Sequence, residues 1–327
     1  MAAAAGSGGT AGAAGTAGGA GMGGTAGIGG TAGTAGKGGA ATGGGAGTGG
    51  AAADGTAGAG GGGANGYPLG NPAVRSAGCG QSPALASGTH RMKSAGLDRE
   101  YIISLPERYD SNTPHRLVFG MHWMNGSAEA VEGWSKWFGL KALDTEGSTI
   151  FVAPQGYTDA SPWRRDDRDH TFFDDLYKLL ASGLCVDTSR VFSVGFSFGA
   201  MYTNSLAQNH QSVLRGVVVY ATADYNIYFP ENTGKPLAYM GVHGLKDSTC
   251  PPESGRRSRD RFVKNNGCTT PGNVPEAKSG GNYVIYDYQC PSNYPVRWAT
   301  FDGGHTYPPN DTGTWVHGKT WEFISQF

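Results

Sequence analysis

The chain of 327 residues divides by composition into two parts, and its charge and its hydropathy pattern argue against nucleic acid binding and membrane spanning respectively. The first 66 residues contain 30 Gly, 21 Ala and 8 Thr, whereas all of the Phe, Trp and Tyr residues lie in residues 67–327. A net charge of -1 provides no concentrated positive surface, so we expect no nucleic acid partner. No apolar stretch approaches the roughly 20 residues that a membrane-spanning helix needs, and we expect no membrane span.

Residues 1–66 form a low-complexity segment that we expect to be a disordered linker. Gly recurs at every third position from Gly6 to Gly39, as in collagen, but this stretch lacks the Pro that holds collagen chains in the polyproline II conformation. Its few large apolar side chains are isolated, so it cannot bury a core. The residues after Met1 show neither the basic nor the leucine-rich region of a secretory signal. We therefore predict a linker over 1–66 and one folded domain over 67–327.

Within residues 67–327, short runs rich in β-branched residues alternate with segments of helical character. This alternation predicts the α/β class, with a mostly parallel sheet flanked by helices. The predicted strands are residues 101–105, 117–121, 149–153, 191–195, 214–220, 237–242 and 296–301. The predicted helices are residues 174–181, 198–209 and 314–327.

A candidate nucleophile lies where the fourth predicted strand meets a predicted helix. The sequence there is Gly-Phe-Ser-Phe-Gly, with Ser197 at its centre. A Gly-x-Ser-x-Gly turn between a buried strand and a helix holds a serine hydroxyl clear of the sheet. The alternative is a turn in which Ser197 only caps the helix, but that leaves the second Gly unexplained. We predict that Ser197 is the catalytic nucleophile.

A serine nucleophile needs a base to remove its proton and an acid to orient that base. Asp247 follows the predicted strand 237–242, and His305 follows the strand 296–301. Parallel strands bring such residues together at their carboxyl ends. We predict that His305 is the general base and Asp247 the acid. Asp224 is the rival acid, and Asp302 is disfavoured because it lies close to His305 in sequence.

The other histidines and the oxyanion donors complete the candidate site. We expect five histidines to be structural or solvated: His90, His115, His170, His210 and His317. The tetrahedral intermediate needs two backbone amides directed at its oxyanion. We predict that Phe198, which follows the nucleophile, supplies one of them. The loop after the strand 117–121 should supply the other, from Met124 by position or from the neighbouring Trp123.

Eight fragments of the chain resemble secreted feruloyl esterases of the carbohydrate esterase family 1 type, which share sequence with polyhydroxybutyrate depolymerases. The fragments are SAGCG, YIISLPERYD, RLVFGMHWMNG, FVAPQG, LCVDTSRVFSVGFSFGAM, GVHGLKD, RDRFVKNNGC and YPVRWATFDGGH. The resemblance implies an α/β-hydrolase fold, no cofactor, and hydrolysis of esters between hydroxycinnamic acids and plant cell-wall polysaccharide. It places the family's triad on Ser197, Asp247 and His305. This chain departs from the family pattern in the oxyanion loop, where the family has His-Gly and this chain has His122 and Trp123.

The residues that contact substrate are less sharply indicated. Trp163 lies in an Arg- and Asp-rich run, and an aromatic wall suits a phenolic acid or a sugar. We place Trp163 and His122 among the substrate-binding residues, with a core or rim position as the alternative for Trp163. His122, His243 and His305 match no compact metal-ligand spacing, so we expect no metal.

Five cysteines leave at least one thiol unpaired. Cys268 and Cys290 flank a short hairpin-like segment, and Cys79 paired with Cys185 would anchor the start of the domain. Cys250 would then be the free thiol. The alternative is a fully reduced protein, as is usual in the cytosol.

These observations predict a secreted or surface-tethered serine esterase. Its expected substrate is a feruloylated plant cell-wall polysaccharide or a small ester. Two other ester hydrolases remain open, an acetylxylan esterase and a polyhydroxybutyrate depolymerase. A non-catalytic alternative is a carbohydrate-binding surface module on a Gly-rich stalk.

Overall fold

A computed structural model describes residues 69–291, 293–308 and 315–327. The predicted linker over 1–66 lies outside the described residues. The strands are β1 Gly88–Ser94, β2 Leu97–Ser104, β3 His115–Met121, β4 Thr149–Pro154, β5 Val186–Phe196, β6 Gly216–Tyr220, β7 Ala238–Gly244, β8 Val284–Asp287 and β9 Val296–Phe301. The helices are α1 Arg168–Gly183, α2 Phe198–Leu206, α3 Pro252–Asn265 and α4 Trp315–Ser325, with a short π-helix over Ala130–Trp134.

The nine strands form one sheet in the order β1-β2-β4-β3-β5-β6-β7-β9-β8. The six strands from β4 to β9 in this order are mutually parallel. Among the nine strands of the described residues, antiparallel pairs lie only towards the two edges, where β1, β2 and β4 pair on one side and β8 pairs with β9 on the other. The predicted α/β class with a mostly parallel sheet is therefore confirmed.

Helices cover both faces of the sheet because neighbouring strand residues point to opposite sides. Leu117 and Phe119 of β3 join one buried cluster, together with residues of α1, α2 and α3. Val118, between them, joins the second cluster, which contains residues of α4 and of the segment that follows the π-helix. Each face of the sheet thus has its own core.

Every predicted strand and helix is present, and the bounds differ by a few residues. The sequence analysis missed β1, β8 and α3. Helix α3 was not predicted because the residues on its buried face are largely small or polar and give little apolar periodicity; they include Ser254, Gly255 and Ser258. The edge strand β8 is short and only half-buried.

Both predicted disulfides are present in the structure. Cys79 is bonded to Cys185, which fastens the start of the described chain beside β5. Cys268 is bonded to Cys290, which closes the segment that contains β8. Cys250 is the free thiol, and it is buried. Within the described residues, no helix is long and apolar enough to cross a membrane.

Candidate active site

Ser197 lies in a tight turn between β5 and α2. Its backbone has φ 55° and ψ -122°, a strained conformation for a residue with a Cβ. The Ser197 amide donates a hydrogen bond to the carbonyl oxygen of Tyr220 at 3.0 Å, which fixes the turn against β6. The side chain therefore stands at the carboxyl end of the sheet and the amino end of α2.

The two glycines of the turn are required by close backbone contacts. A Cβ on Gly195 would meet the backbone of Gly199, the fourth residue along. A Cβ on Gly199 would meet the carbonyl oxygen of Met121 and would lie 2.7 Å from that of His122. The start of α2 thus packs directly against the loop after β3, at a distance that only glycine allows.

Ser197, His305 and Asp247 form one hydrogen-bonded row. His305 Nε2 lies 2.7 Å from Ser197 Oγ, and His305 Nδ1 lies 2.7 Å from Asp247 Oδ2. A carboxylate only accepts, so Nδ1 carries the hydrogen and Nε2 presents its lone pair to the serine hydroxyl. This tautomer is the one in which His305 can take a proton from Ser197.

Asp247 is buried, and its carboxylate is fully engaged. Oδ1 accepts the backbone amides of Thr249 at 2.9 Å and Cys250 at 2.8 Å, while Oδ2 faces His305. Burial acts to raise the pKa of Asp247, but the hydrogen bonds from His305 and from the Cys250 amide outweigh it, and the pKa lies below its ordinary value. Asp247 is therefore ionised at neutral pH.

The sequence analysis gave no role to His243, which supports this carboxylate. It is buried at the end of β7, and its Nε2 donates to the carbonyl oxygen of Cys250 at 2.8 Å. The same nitrogen lies 3.6 Å from Asp247 Oδ2. Burial lowers the pKa of His243, so the ring is neutral. Its place directly at the end of a buried strand was the available signal.

The rival acids bond to other partners. Asp224 forms an ion pair with Arg257 at 2.6 Å, and Asp302 forms one with Lys246 at 2.6 Å. The five histidines expected to be structural also have hydrogen-bond or ring partners outside the row of Ser197, His305 and Asp247: His90, His115, His170, His210 and His317.

The predicted oxyanion donors lie at the contact between α2 and the loop after β3. The backbone amides of Phe198, Trp123 and Met124 have no hydrogen-bond acceptor among the residues that the structure describes. Phe198 is the first residue of α2, so its amide has no partner within the helix. The approach of Gly199 to Met121 brings the two segments together. The arrangement suits an anion beside Ser197.

The predicted substrate contacts of His122 and Trp163 are wrong, because both side chains are completely buried. His122 Nε2 accepts the amide of Gly156 at 2.9 Å, so its Nδ1 donates to the carbonyl oxygen of Trp123 at 3.0 Å. Burial lowers the pKa of His122 to about 4. The Trp163 indole donates to the His122 carbonyl oxygen at 2.9 Å, and its ring stacks on Tyr202. Through these hydrogen bonds, both side chains fix the backbone at the start of the loop after β3.

Among the described residues, no group of three or more His, Cys, Asp or Glu side chains is arranged to hold a metal ion. The histidines at the strand ends are instead occupied by the hydrogen bonds given above.

Comparison with known proteins gives relatives over most of the chain. No family model matches. Feruloyl esterase D from Neurospora crassa is 35% identical over 269 residues, which cover 78% of this chain and 91% of the relative. Feruloyl esterase C from Emericella nidulans is 35% identical over 257 residues, covering 77% of this chain and 91% of the relative.

Solved structures with the same architecture include two esterases. The acetyl xylan esterase from Aspergillus awamori has a TM-score of 0.56 at 17% identity and covers 73% of this chain and 100% of its own. A CE1 ferulic acid esterase from Anaeromyces mucronatus, in complex with ferulic acid, has a TM-score of 0.50 at 14% identity and covers 73% of this chain and 89% of its own. These likenesses show the fold, which is the predicted α/β-hydrolase fold.

Proposed function

The chain belongs to the feruloyl esterase family, and from this membership we propose that it hydrolyses hydroxycinnamate esters of plant cell-wall polysaccharide through Ser197, His305 and Asp247. The observation that carries the proposal is the hydrogen-bonded row, in which His305 bonds to Ser197 Oγ on one side and Asp247 on the other, each at 2.7 Å. The polysaccharide substrate comes from the resemblance of the sequence to the family.

In the first half of the reaction, Ser197 Oγ attacks the ester carbonyl carbon while His305 Nε2 takes the hydroxyl proton. The carbonyl oxygen becomes an oxyanion, which the amides of Phe198 and Met124 stabilise, with Trp123 as the alternative second donor. The tetrahedral intermediate then collapses. The bond to the alcohol oxygen breaks, His305 returns its proton to that oxygen, and the acyl group stays on Ser197.

In the second half, water replaces the alcohol. His305 removes a proton from the water, whose oxygen attacks the acyl carbon, and Ser197 leaves with that proton restored. Asp247 stays ionised throughout and stabilises the imidazolium that forms twice per cycle. The products are the hydroxycinnamic acid and the free hydroxyl of the sugar.

We propose an oxidising, extracellular setting for this protein. Two disulfides support it, because such bonds persist outside the cytosol. The sequence resemblance to secreted esterases points the same way.

The test compares hydrolysis of methyl ferulate, acetylated xylan and a polyhydroxybutyrate film by the wild type and by Ser197→Ala. We expect release of ferulate by the wild type and a loss of at least 10⁴-fold in kcat for the variant, because the nucleophile is gone. The matched control is Ser212→Ala, at an exposed serine. Release of acetate or hydroxybutyrate without ferulate would keep the mechanism and overturn the substrate. A wild-type protein that binds polysaccharide but hydrolyses none of the three esters would contradict the proposed esterase activity.

A further inference from the structure

A row of aromatic rings leads away from His305 to the protein surface. Phe196 lies 5.0 Å from the His305 ring, measured between ring centroids. Trp123 lies 6.2 Å from Phe196, and Trp134 lies 5.4 Å from Trp123. We call Phe196, Trp123 and Trp134 the aromatic row. It joins the reacting centre to an indole at the surface.

Trp134, the outer member of the aromatic row, is unusually exposed. Its side chain is 65% exposed, compared with 42% for Met124 and 40% for Tyr225. A contiguous exposed apolar patch marks a binding surface, whereas a single exposed apolar residue does not. Trp134 is not isolated, because its ring contacts Trp123, the sequence neighbour of the exposed Met124. An indole face with a polar nitrogen at its edge suits a ligand that has both C–H and hydroxyl groups.

The backbone directly after the exposed Trp134 is strained. Lys136, Trp137 and Phe138 have φ values of 48°, 52° and 57°, which are unfavourable for residues with a Cβ. The left-handed turn places Trp137 and Phe138 in the core, where both are almost fully buried. Strain of this kind is common at functional sites. Three large aromatic side chains lie within five residues, and only Trp134 is left to solvent.

The chemistry of the reaction indicates which part of the substrate meets the aromatic row. His305 Nε2 must donate a proton to the departing alcohol oxygen, so the alcohol lies next to the His305 ring. The aromatic row begins at that ring. The residues flanking Trp134 in sequence include the polar side chains of Glu132, Ser135 and Lys136, of which Lys136 is exposed. A sugar chain matches this mixture of an aromatic face and a polar border.

We propose that Trp134, held by Trp123, is a stacking platform for the sugar chain that carries the ester, and that it sets the preference for polysaccharide esters over esters of small alcohols. This inference rests on the proposed function. It adds a subsite on the leaving-group side, outside the hydrogen-bonded row that does the chemistry.

The test uses two esters that share the feruloyl group, methyl ferulate and a feruloylated xylo-oligosaccharide. For Trp134→Ala we expect the ratio of kcat/KM on the oligosaccharide to kcat/KM on methyl ferulate to fall about tenfold, through KM, because one stacking contact is lost. Trp134→Phe, which keeps a ring, should recover part of the ratio. Inhibition of methyl ferulate hydrolysis by an unesterified xylo-oligosaccharide should weaken by the same factor.

The matched control is Trp321→Ala. Trp321 lies on α4 with its ring 5.5 Å from the guanidinium of Arg116, at the amino end of β3 and thus at the opposite edge of the sheet. Its removal should leave the ratio unchanged. An equal loss on both esters in Trp134→Ala would overturn the proposal, because the indole would then serve the acyl group or the loop. An unchanged ratio would also overturn it. Failure of the proposed function would appear earlier, as a wild type that cleaves neither ester.

Discussion

The substitution Asp247→Asn tests the assignment of the acid with almost no change in volume. In the folded protein, Asp247 Oδ1 accepts two backbone amides at 2.9 and 2.8 Å. An asparagine must keep its only oxygen at that position, because turning the side chain over would leave those two donors unpaired, at about 1–3 kcal/mol each. The asparagine NH₂ group would therefore face His305 Nδ1.

The consequence for catalysis follows from the tautomer of His305. Its Nδ1 lies 2.7 Å from the Asp247 carboxylate and now has to accept, so Nε2 has to carry the hydrogen and can no longer take the Ser197 proton. A triad held in the wrong tautomer loses about 10⁴-fold in kcat, or about 5.5 kcal/mol of transition-state stabilisation. We expect a loss of this size on methyl ferulate, with KM nearly unchanged.

The matched controls for this substitution are Asp224→Asn and Asp302→Asn. Each removes a surface ion pair, to Arg257 and Lys246 respectively, and each should change kcat by less than about threefold. Thermal unfolding of all the variants establishes that they fold. The reasoning would be refuted by a folded Asp247→Asn variant that keeps more than about 1% of wild-type kcat. A loss of kcat of similar size in either control variant would also refute the reasoning.

Three further predictions follow from the packing around the site. Gly199→Ala should cost at least 100-fold in kcat, because its Cβ meets the Met121 carbonyl and displaces the oxyanion loop; wild-type activity would contradict this. Burial lowers the pKa of His122 to about 4, so below pH ~6.5 the unfolded chain binds a proton at this residue that the folded protein does not. His122 alone should therefore contribute a fall of ~3 kcal/mol in the free energy of unfolding between pH 6.5 and 4. Urea unfolding should show a shallower pH dependence in His122→Gln, and an equal slope would count against the reasoning. Replacing Cys79 and Cys185 by Ala should lower the free energy of unfolding by about 5 kcal/mol, since that disulfide spans 106 residues, and a loss below 1 kcal/mol would be inconsistent with a folded-state bond.

The architecture could be predicted from the sequence because each buried parallel strand has a recognisable local composition. The parallel strands are runs of β-branched and apolar residues, and β9 was predicted with the bounds that the structure has. Ser197, Asp247 and His305 each follow such a run, and a parallel sheet brings the ends of its strands to one edge. The predicted strands and the Gly-x-Ser-x-Gly motif, which the family resemblance supports, therefore pointed to three residues that lie up to 108 positions apart in sequence and within hydrogen-bond distance in the structure.

Burial of the tryptophans could not be predicted in this way. Trp163 and Trp134 both lie in polar stretches of sequence, yet Trp163 is completely buried and Trp134 is 65% exposed. Trp163 is buried because its ring and its nitrogen find partners from distant segments, Tyr202 and the His122 carbonyl oxygen. Trp134 directly precedes a turn in which three residues other than glycine adopt positive φ, and no sequence pattern predicts such a turn.

The choice of base shows why a position after a predicted strand is an incomplete guide to function. A base of this kind needs an Nδ1–H held by an acid and a free Nε2 lone pair facing the nucleophile. His122 Nε2 is occupied by the Gly156 amide, and His243 Nε2 donates to the Cys250 carbonyl oxygen. His305 meets both conditions. His243 also fixes the turn whose backbone amides hold Asp247. The neutral His243 thus supports Asp247, and Asp247 in turn orients His305 so that its Nε2 can accept a proton.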